Sequence, residues 1–144
     1  MGSHFRSIMI GRAIVFPLLI SLNFGCEDVG MRLEIRNGTY TGTFTIRQSD
    51  GSEHSGGVTF TFHDGSYTCS PEVRYLPPGG AGTYHTFGTT LVLTDTVAHT
   101  AEFDWTLILG GEFAFSFDGR TLKLTQDDTK YHRHRVIVLK YLGS

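Results

Sequence analysis

Between residues 101 and 126 the chain alternates apolar and polar side chains in three successive runs. The apolar positions of these runs are Phe103, Trp105, Leu107, Leu109, Phe113, Phe115, Phe117, Leu122 and Leu124. Because successive side chains of a strand point to opposite faces, a period of two predicts strands with one apolar and one polar face. The pattern therefore predicts an antiparallel meander of three strands, with turns at Gly110-Gly111 and Asp118-Gly119.

The second of these turns gives an expected register for the last two strands of the meander. Asp-Gly is the preferred pair for a two-residue type I′ turn, because both positions need positive φ. A turn at Asp118-Gly119 places Phe117 opposite Arg120 and Phe115 opposite Leu122. A shift by one residue would mix the apolar and polar faces, so this register is strongly favoured.

The same alternation recurs on both sides of the meander. Further strands are predicted at residues 38–47, 57–63, 66–70, 82–87, 89–95 and 131–142. The hairpin at Asp64-Gly65 sets Phe62 opposite Tyr67 and Phe60 opposite Cys69. We therefore expect Cys69 to be a half-buried apolar residue rather than a reactive thiol.

The chain has eight or nine predicted strands and no helical pattern to cover a sheet. Its composition agrees with an all-β protein rich in turns, since it contains 18 glycines and 12% aromatic residues. Without helices, the aromatic face must close on itself, and an antiparallel up-and-down barrel does this while leaving no sheet edge. We expect one domain over residues 38–144, a barrel of about eight strands, with a two-sheet β-sandwich as the alternative.

The first 25 residues have the pattern of a secretory signal segment. Residues 8–22 are mostly apolar and carry Arg12 near their start, so either Met1 or Met9 fits as the first residue. The run is too short and too interrupted for a membrane span, which needs about 20 apolar residues. We expect residues 1–25 to be the signal and residues 26–37 to be a tether ahead of the barrel.

Gly25-Cys26 resembles the end of a bacterial lipobox, in which the cysteine thiol carries diacylglycerol and becomes the mature N-terminus. Asn23 stands where that pattern usually has an aliphatic residue, and Glu27-Asp28 is similar to the acidic start of surface lipoproteins of Bacteroidota. The resemblance predicts lipidation at Cys26 and a cell-envelope location, anchored to the outer membrane. Plain secretion is the alternative, with Cys26 free to pair with Cys69.

Three segments of the chain resemble the small lipocalin-like lipoproteins of Bacteroidota. They are GTYTGTF at residues 38–44, TAEFDWTLILGGEFAFSFDG at residues 100–119 and TLKLTQ at residues 121–126. The resemblance covers nearly all of the chain after the signal and is strongest over residues 102–125. It implies a compact lipocalin-like barrel behind a lipoprotein signal, in a family whose function is mostly unassigned, and it carries no catalytic residues.

Motifs for catalysis and metal binding are sparse. The chain has no GxSxG elbow and no HExxH sequence. Glu102 and Asp104 share the polar face of a predicted strand, where a solvated pair is the expected state. His132 and His134 share a face of the last strand, but a metal needs a third ligand that the sequence does not place beside them. We therefore expect no enzyme, no metal and no cofactor, and the net charge of −2 gives no reason to expect nucleic acid.

A candidate ligand site combines the aromatic face with the last strand. Arg133 and Arg135 share parity with Tyr141, so an inward position of this face would place two guanidinium groups in an aromatic lumen near the Pro71–Gly82 loop. Such a site suits a small amphipathic ligand with a carboxylate or phosphate head group. The residues predicted to line it are Arg133, Arg135, Tyr141, Tyr40, Phe44, Phe60, Phe62, Trp105, Phe113 and Phe115.

Two alternatives to this site remain open from the sequence. With Val136 and Val138 inward, the arginines would lie outside, because both faces of the last strand are apolar over part of their length. An eight-stranded barrel is also only just wide enough for side chains or one small ligand. The alternative function is therefore a structural or protein-interaction lipoprotein whose barrel is filled by its own side chains. The oligomeric state cannot be predicted from these patterns.

Overall fold

The fold is taken from a computed structural model, which describes residues 34–74, 76–100 and 104–144. The predicted signal segment, the lipidation site Cys26 and residues 101–103 of the predicted meander lie outside the described residues. Within the described part, no helix is long and apolar enough to cross a membrane.

Eight antiparallel strands form a closed barrel in simple chain order. They are β1 (Gly38–Gln48), β2 (Glu53–His63), β3 (Ser66–Pro71), β4 (Gly80–Phe87), β5 (Thr90–Asp95), β6 (Gly111–Phe117), β7 (Thr121–Asp128) and β8 (Arg133–Gly143). Each strand pairs with the next, and β8 pairs with β1 from Gln48 opposite Arg133 to Thr39 opposite Gly143. The up-and-down barrel of about eight strands is confirmed, and the sandwich alternative is wrong.

The two ends of the barrel are built from different parts of the chain. The proximal end is formed by residues 34–37 and the turns at residues 64–65, 88–89 and 118–120. The distal end is formed by the connections at residues 49–52, 72–79, 96–110 and 129–132. Since the strands alternate in direction, every second connection lies at the same end.

The face of β8 that carries the arginines points into the barrel. Arg135, Ile137 and Leu139 are buried on it, whereas Val138 on the other face is 38% exposed. Arg135 lies opposite Ile46 of β1, one of the apolar residues of the inner face. The parity that places the arginines inside is therefore correct.

The register of the β2–β3 hairpin is confirmed, and that of the β6–β7 hairpin is shifted by two residues from the prediction. Phe117 lies opposite Leu122, and Phe115 lies opposite Leu124. Asp118 stays on the strand side of the turn, because its carboxylate accepts hydrogen bonds from the backbone N–H groups of Arg120 and Thr121, at 2.9 and 2.6 Å. The turn residues are then Gly119 and Arg120, and Gly119 supplies the positive φ of +90°. A shift of two keeps every side chain on its predicted face.

The predicted first strand of the meander is wrong where the structure describes it. Residues 105–107 form a single turn of 3₁₀ helix, Trp105–Leu107, within the connection from β5 to β6. The Asp104 carboxylate accepts a hydrogen bond of 2.9 Å from the backbone N–H of Thr106, and such a local bond competes with the pairing of a strand. Trp105 is 57% exposed and lies outside the lumen, so its predicted position in the lining is wrong.

Candidate functional site

The lumen is filled by side chains of the barrel itself. Phe44, Phe60 and Phe62 are 0% accessible to solvent, as are Leu122 and Leu124. A cavity large enough to hold a water molecule would expose the atoms that line it, even without an opening to the outside. These residues therefore line no such cavity. Their rings pack directly, with Phe60 stacked on Phe62 at 5.6 Å between centroids.

The proximal end is closed by the chain segment that leads into β1. Ile35 is buried with 6% exposure and belongs to the core. The Tyr40 hydroxyl donates to the carbonyl of Arg36 at 2.7 Å, and the Tyr141 hydroxyl donates to the carbonyl of Asn37 at 3.2 Å. Residues 34–37, which the sequence assigns to the tether, are thus packed on the barrel and cover this end.

Tyr141 and the arginines do not belong to one site. Tyr141 contacts Tyr40 at 5.1 Å between ring centroids, and the Arg36 guanidinium lies 5.1 Å from the centre of its ring. Arg135 lies six residues before Tyr141 in β8, a separation of about 20 Å in a strand. The predicted grouping of Arg133, Arg135 and Tyr141 around one ligand is therefore wrong, because Tyr141 lies at the proximal end of the lumen and the two arginines lie at its distal end.

The distal end is closed by Arg135, which is 3% exposed. Its Nη1 donates to Gln126 Oε1 at 2.6 Å, and its Nη2 donates to the carbonyl of Thr106 at 2.6 Å and to Asp128 Oδ2 at 3.1 Å. Burial lowers the pKa of the guanidinium, and the neighbouring Asp128 carboxylate opposes that shift. The anion that a buried arginine requires is therefore supplied by the chain itself.

Arg133, which is half-buried, also binds the connection between β5 and β6. Its Nη1 donates to Thr106 Oγ1 at 2.6 Å, and its guanidinium lies 5.5 Å from the centre of the Tyr131 ring. Both arginines thus bind the segment around Thr106 and fix it across the distal end. Sequence parity placed both arginines on one face of the strand but left open whether that face points inward, and it gave no sign of Thr106 as their shared partner.

Three further titratable residues lie near the distal end: Cys69, His132 and His134. Burial raises the pKa of the Cys69 thiol to about 12, and Cys69 is a free, buried cysteine. His132 is an exposed turn residue with φ of +50°, so it does not share a strand face with His134 as predicted. His134 pairs with Asp127 at 2.6 Å. In the described ranges, no group of three or more His, Cys, Asp or Glu side chains could hold a metal ion.

A groove of about 410 Å³ lies on the outside of the distal end. We call it the distal groove, and the residues that line it are Trp105, Thr106, Ile108, Gly110, Glu112, Gln126, Asp127, Asp128, Thr129, Lys130, Tyr131 and Arg135. Trp105 and Tyr131 are exposed aromatic residues within it, and Arg135 is its buried member. The alternation pattern could not reveal this groove, because it assigned Trp105 to the interior.

A second groove, of about 650 Å³, lies at the proximal end between residues 34–37 and strand β4. Its lining includes Arg36, Asp64, Tyr84 and His85. The side chain of Asn37 spans part of this end, since its amide donates to Asp64 Oδ1 at 2.6 Å. This groove is therefore bordered by the same segment that closes the lumen.

The chain matches no protein-family model, no curated protein and no solved structure. Its function must then be inferred from its geometry. That geometry consists of a filled lumen, two ends closed by the chain's own residues, and polar grooves on the outside.

Proposed function

We propose that this protein is a cell-envelope lipoprotein that acts through its outer surface, with a barrel that carries no small molecule in its lumen. The observation that carries the proposal is the complete burial of Phe44, Phe60 and Phe62 in the lumen. An apolar ligand needs space beside apolar side chains, and these three line none. The barrel is then a rigid support for surface groups rather than a container.

Admission of an amphipathic ligand to the lumen would be costly. An acyl chain in mid-barrel would have to displace side chains such as Phe60, whose loss from a core costs about 3–5 kcal/mol. Its head group would also have to displace Asp128, which already accepts a hydrogen bond from Arg135. Both displacements would offset part of the binding energy of one small ligand.

The lipid anchor is supported by the signal-like segment that ends in Gly25-Cys26. Eight residue steps separate Cys26 from Glu34, where the chain reaches the proximal end. At about 3.6 Å per step when fully extended, they span no more than about 29 Å. An acylated Cys26 therefore keeps the proximal end close to the bilayer and leaves the distal groove on the far side of the barrel, where it is open to other molecules.

The absence of a luminal ligand is tested with a fluorescent fatty acid. Residues 26–144 carrying Cys26→Ser, the mature chain without its acyl anchor, are titrated with 11-(dansylamino)undecanoic acid, and unlabelled fatty acids are added as competitors. We expect no saturable rise in dansyl emission. Stoichiometric binding that unlabelled fatty acids displace would overturn the filled-lumen proposal.

The anchor is tested by metabolic labelling with an alkyne analogue of palmitate in a bacterial host. We expect the full chain to be labelled, the Cys26→Ser variant to be unlabelled, and the Cys69→Ser variant to be labelled like the parent. The second variant is the matched control, because it removes the other cysteine of the chain. An unlabelled parent chain would remove the lipid anchor and leave the filled barrel as the remaining proposal.

A further inference from the structure

We propose that the distal groove is a binding site for a neutral saccharide, with a sugar ring stacked on the indole of Trp105. The inference rests on the proposal that the protein acts through its outer surface, and it names the class of ligand for that surface. It does not depend on the lipid anchor.

The exposure of Trp105 is the first observation. Trp105 is 57% exposed, whereas the barrel buries Tyr40, Phe44, Phe60 and Phe62 completely. Tyr131, which is 39% exposed, belongs to the same lining, so two exposed aromatic rings border one groove. A flat exposed indole at the edge of a polar groove offers an apolar face with a polar N–H at its edge. The C–H face of a sugar ring is complementary to such a surface.

The indole is held in place by the segment around it. Asp104 caps the backbone N–H of Thr106 at 2.9 Å, and Arg135 and Arg133 donate to the carbonyl and the hydroxyl of Thr106, both at 2.6 Å. These bonds fix the residue that follows Trp105 in the chain. The Trp105 ring also meets the ring of His99 edge to face, at 6.0 Å between centroids. A preorganised aromatic face loses little entropy when a ligand stacks on it.

The charges of the groove disfavour an anionic ligand. Asp128 is paired with Arg135 at 3.1 Å, and Asp127 is paired with His134 at 2.6 Å. Among the described lining residues, Glu112 and Lys130 remain as one carboxylate and one ammonium of opposite sign. With histidine neutral, the three carboxylates of the lining outnumber its two cations by one, and the Gln126 amide adds a donor and an acceptor. Sugar hydroxyls both donate and accept, so they fit this mixture.

Other ligands that stack on tryptophan fit the groove less well. Nucleobases also stack on exposed aromatic rings, but single-stranded nucleic acids require a positively charged groove along their phosphates. Here Glu112 and Asp127 would face a phosphate. A fatty acid would meet the same repulsion at its carboxylate and would find Trp105 as its main apolar contact. A neutral polyhydroxyl ligand avoids both penalties.

The experiment uses residues 26–144 carrying Cys26→Ser, the mature chain without its acyl anchor, so that no sugar-based detergent is needed. The chain is screened on an array of neutral glycans, and the glycans that bind are titrated while tryptophan emission is recorded. Trp105 is the only tryptophan of the chain, so the emission reports directly on the proposed site. Adenosine monophosphate and sodium octanoate serve as stacking and apolar controls. We expect saturable binding of at least one neutral glycan with a shift in emission, and no response to the two controls.

Three variants separate the site from the fold. Trp105→Ala is expected to weaken the affinity at least tenfold in isothermal titration calorimetry, and Trp105→Tyr to restore part of it by providing another flat ring. Phe87→Ala is the matched control, since Phe87 is 55% exposed but lies at the proximal end. An array without neutral glycan binding, or glycan binding that Trp105→Ala leaves unchanged, would overturn the proposal. The fatty-acid titration described above would still decide on the filled lumen, so the two proposals fail separately.

Discussion

Arg135 donates a hydrogen bond of 2.6 Å from Nη2 to the backbone carbonyl of Thr106, which is 29 residues away in sequence. The bond joins a buried side chain of the last strand to the connection between β5 and β6. With Asp128 and Gln126 as its other partners, the guanidinium closes the distal end and positions Trp105 outside it. One arginine therefore contributes both to the filled lumen and to the geometry of the distal groove.

Replacement of Arg135 by alanine should strongly destabilise the barrel. It leaves the Asp128 carboxylate, 15% exposed, without its cation, and loss of one partner of a buried pair costs about 3–5 kcal/mol. The matched control is Arg47→Ala, because Arg47 pairs with Glu53 at 2.7 Å but both side chains are well exposed, at 62% and 44%. Exposed pairs contribute about 0–1 kcal/mol. Urea unfolding of both variants gives the comparison, and equal losses would contradict the structural role assigned to Arg135.

The β6–β7 hairpin should respond very differently to changes on its two faces. Phe115 is 4% exposed, so Phe115→Ala should cost about 3–5 kcal/mol of unfolding free energy. Lys123 lies on the exposed face of β7, and Lys123→Ala should cost less than about 0.5 kcal/mol. A denaturant titration in which the two variants lose similar stability would show that the inner face has been assigned wrongly.

Gly42 should not tolerate even one added carbon atom. A Cβ at this position would collide with the carbonyl oxygen of Val138, a backbone atom of the neighbouring strand β8. Gly42→Ala must therefore separate the two strands that close the barrel, and we expect it to prevent folding or to lower the melting temperature sharply. Gly88→Ala is the control, since Gly88 has a φ of +57° but no described atom within 4 Å of its Cβ position. It should cost only about 1–2 kcal/mol, from backbone strain. Equal thermal stability of Gly42→Ala and the parent would contradict the β1–β8 pairing.

Cys69 should make the barrel less stable at alkaline pH. Burial raises the pKa of its thiol from 9.0 to about 12, because apolar surroundings disfavour the thiolate. Between these values the unfolded chain has released the proton and the folded chain keeps it, so the free energy of unfolding falls as pH rises. The slope from one such group is at most about 1.4 kcal/mol per pH unit.

The test compares urea unfolding of the parent and Cys69→Ala at pH 9 and pH 10. This window lies below the pH at which unfolded tyrosines lose most of their protons. The variant should lose less stability across it than the parent, by about 1 kcal/mol. Parallel losses in the two proteins would mean that the Cys69 thiol is not held protonated by the fold.

The parts of this structure that could be predicted from sequence are those set by local periodicity. Parity places Arg135 on one face of β8 with Ile137 and Leu139, and the β2–β3 register follows from the turn at Asp64-Gly65. Both depend only on neighbours in the chain. Which face of β8 points inward stays open at that stage, because Val136 and Val138 make the other face apolar too. The two-residue shift at β6–β7 arose from the capping of backbone N–H groups by Asp118, which a turn preference alone does not include.

The segment at Trp105 could not be predicted in the same way. Its alternation is as regular as that of β6, but the eight other strands already close the barrel and leave it no strand to pair with. Its conformation is set by Asp104 nearby and by Arg135 from β8. The distal groove depends on the meeting of residues 104–112 with residues 126–131, a tertiary contact that periodicity does not encode. The partners of Arg135 could not be predicted for the same reason.

The measurement that tests the filled lumen most directly is xenon binding, followed by the amide chemical shifts of the protein under xenon pressure. Xenon enters dry apolar cavities that are closed to larger probes. We predict no saturable shift in the parent, because Phe60 and its neighbour Phe62 are 0% accessible. Phe60→Ala should open such a cavity and show saturable shifts at Phe62 and Tyr67, the two rings that stack on Phe60. If the Phe60→Ala variant does not fold, Phe60→Leu is used in its place. Saturable shifts at Phe44, Phe60 and Phe62 in the parent protein would contradict the filled lumen.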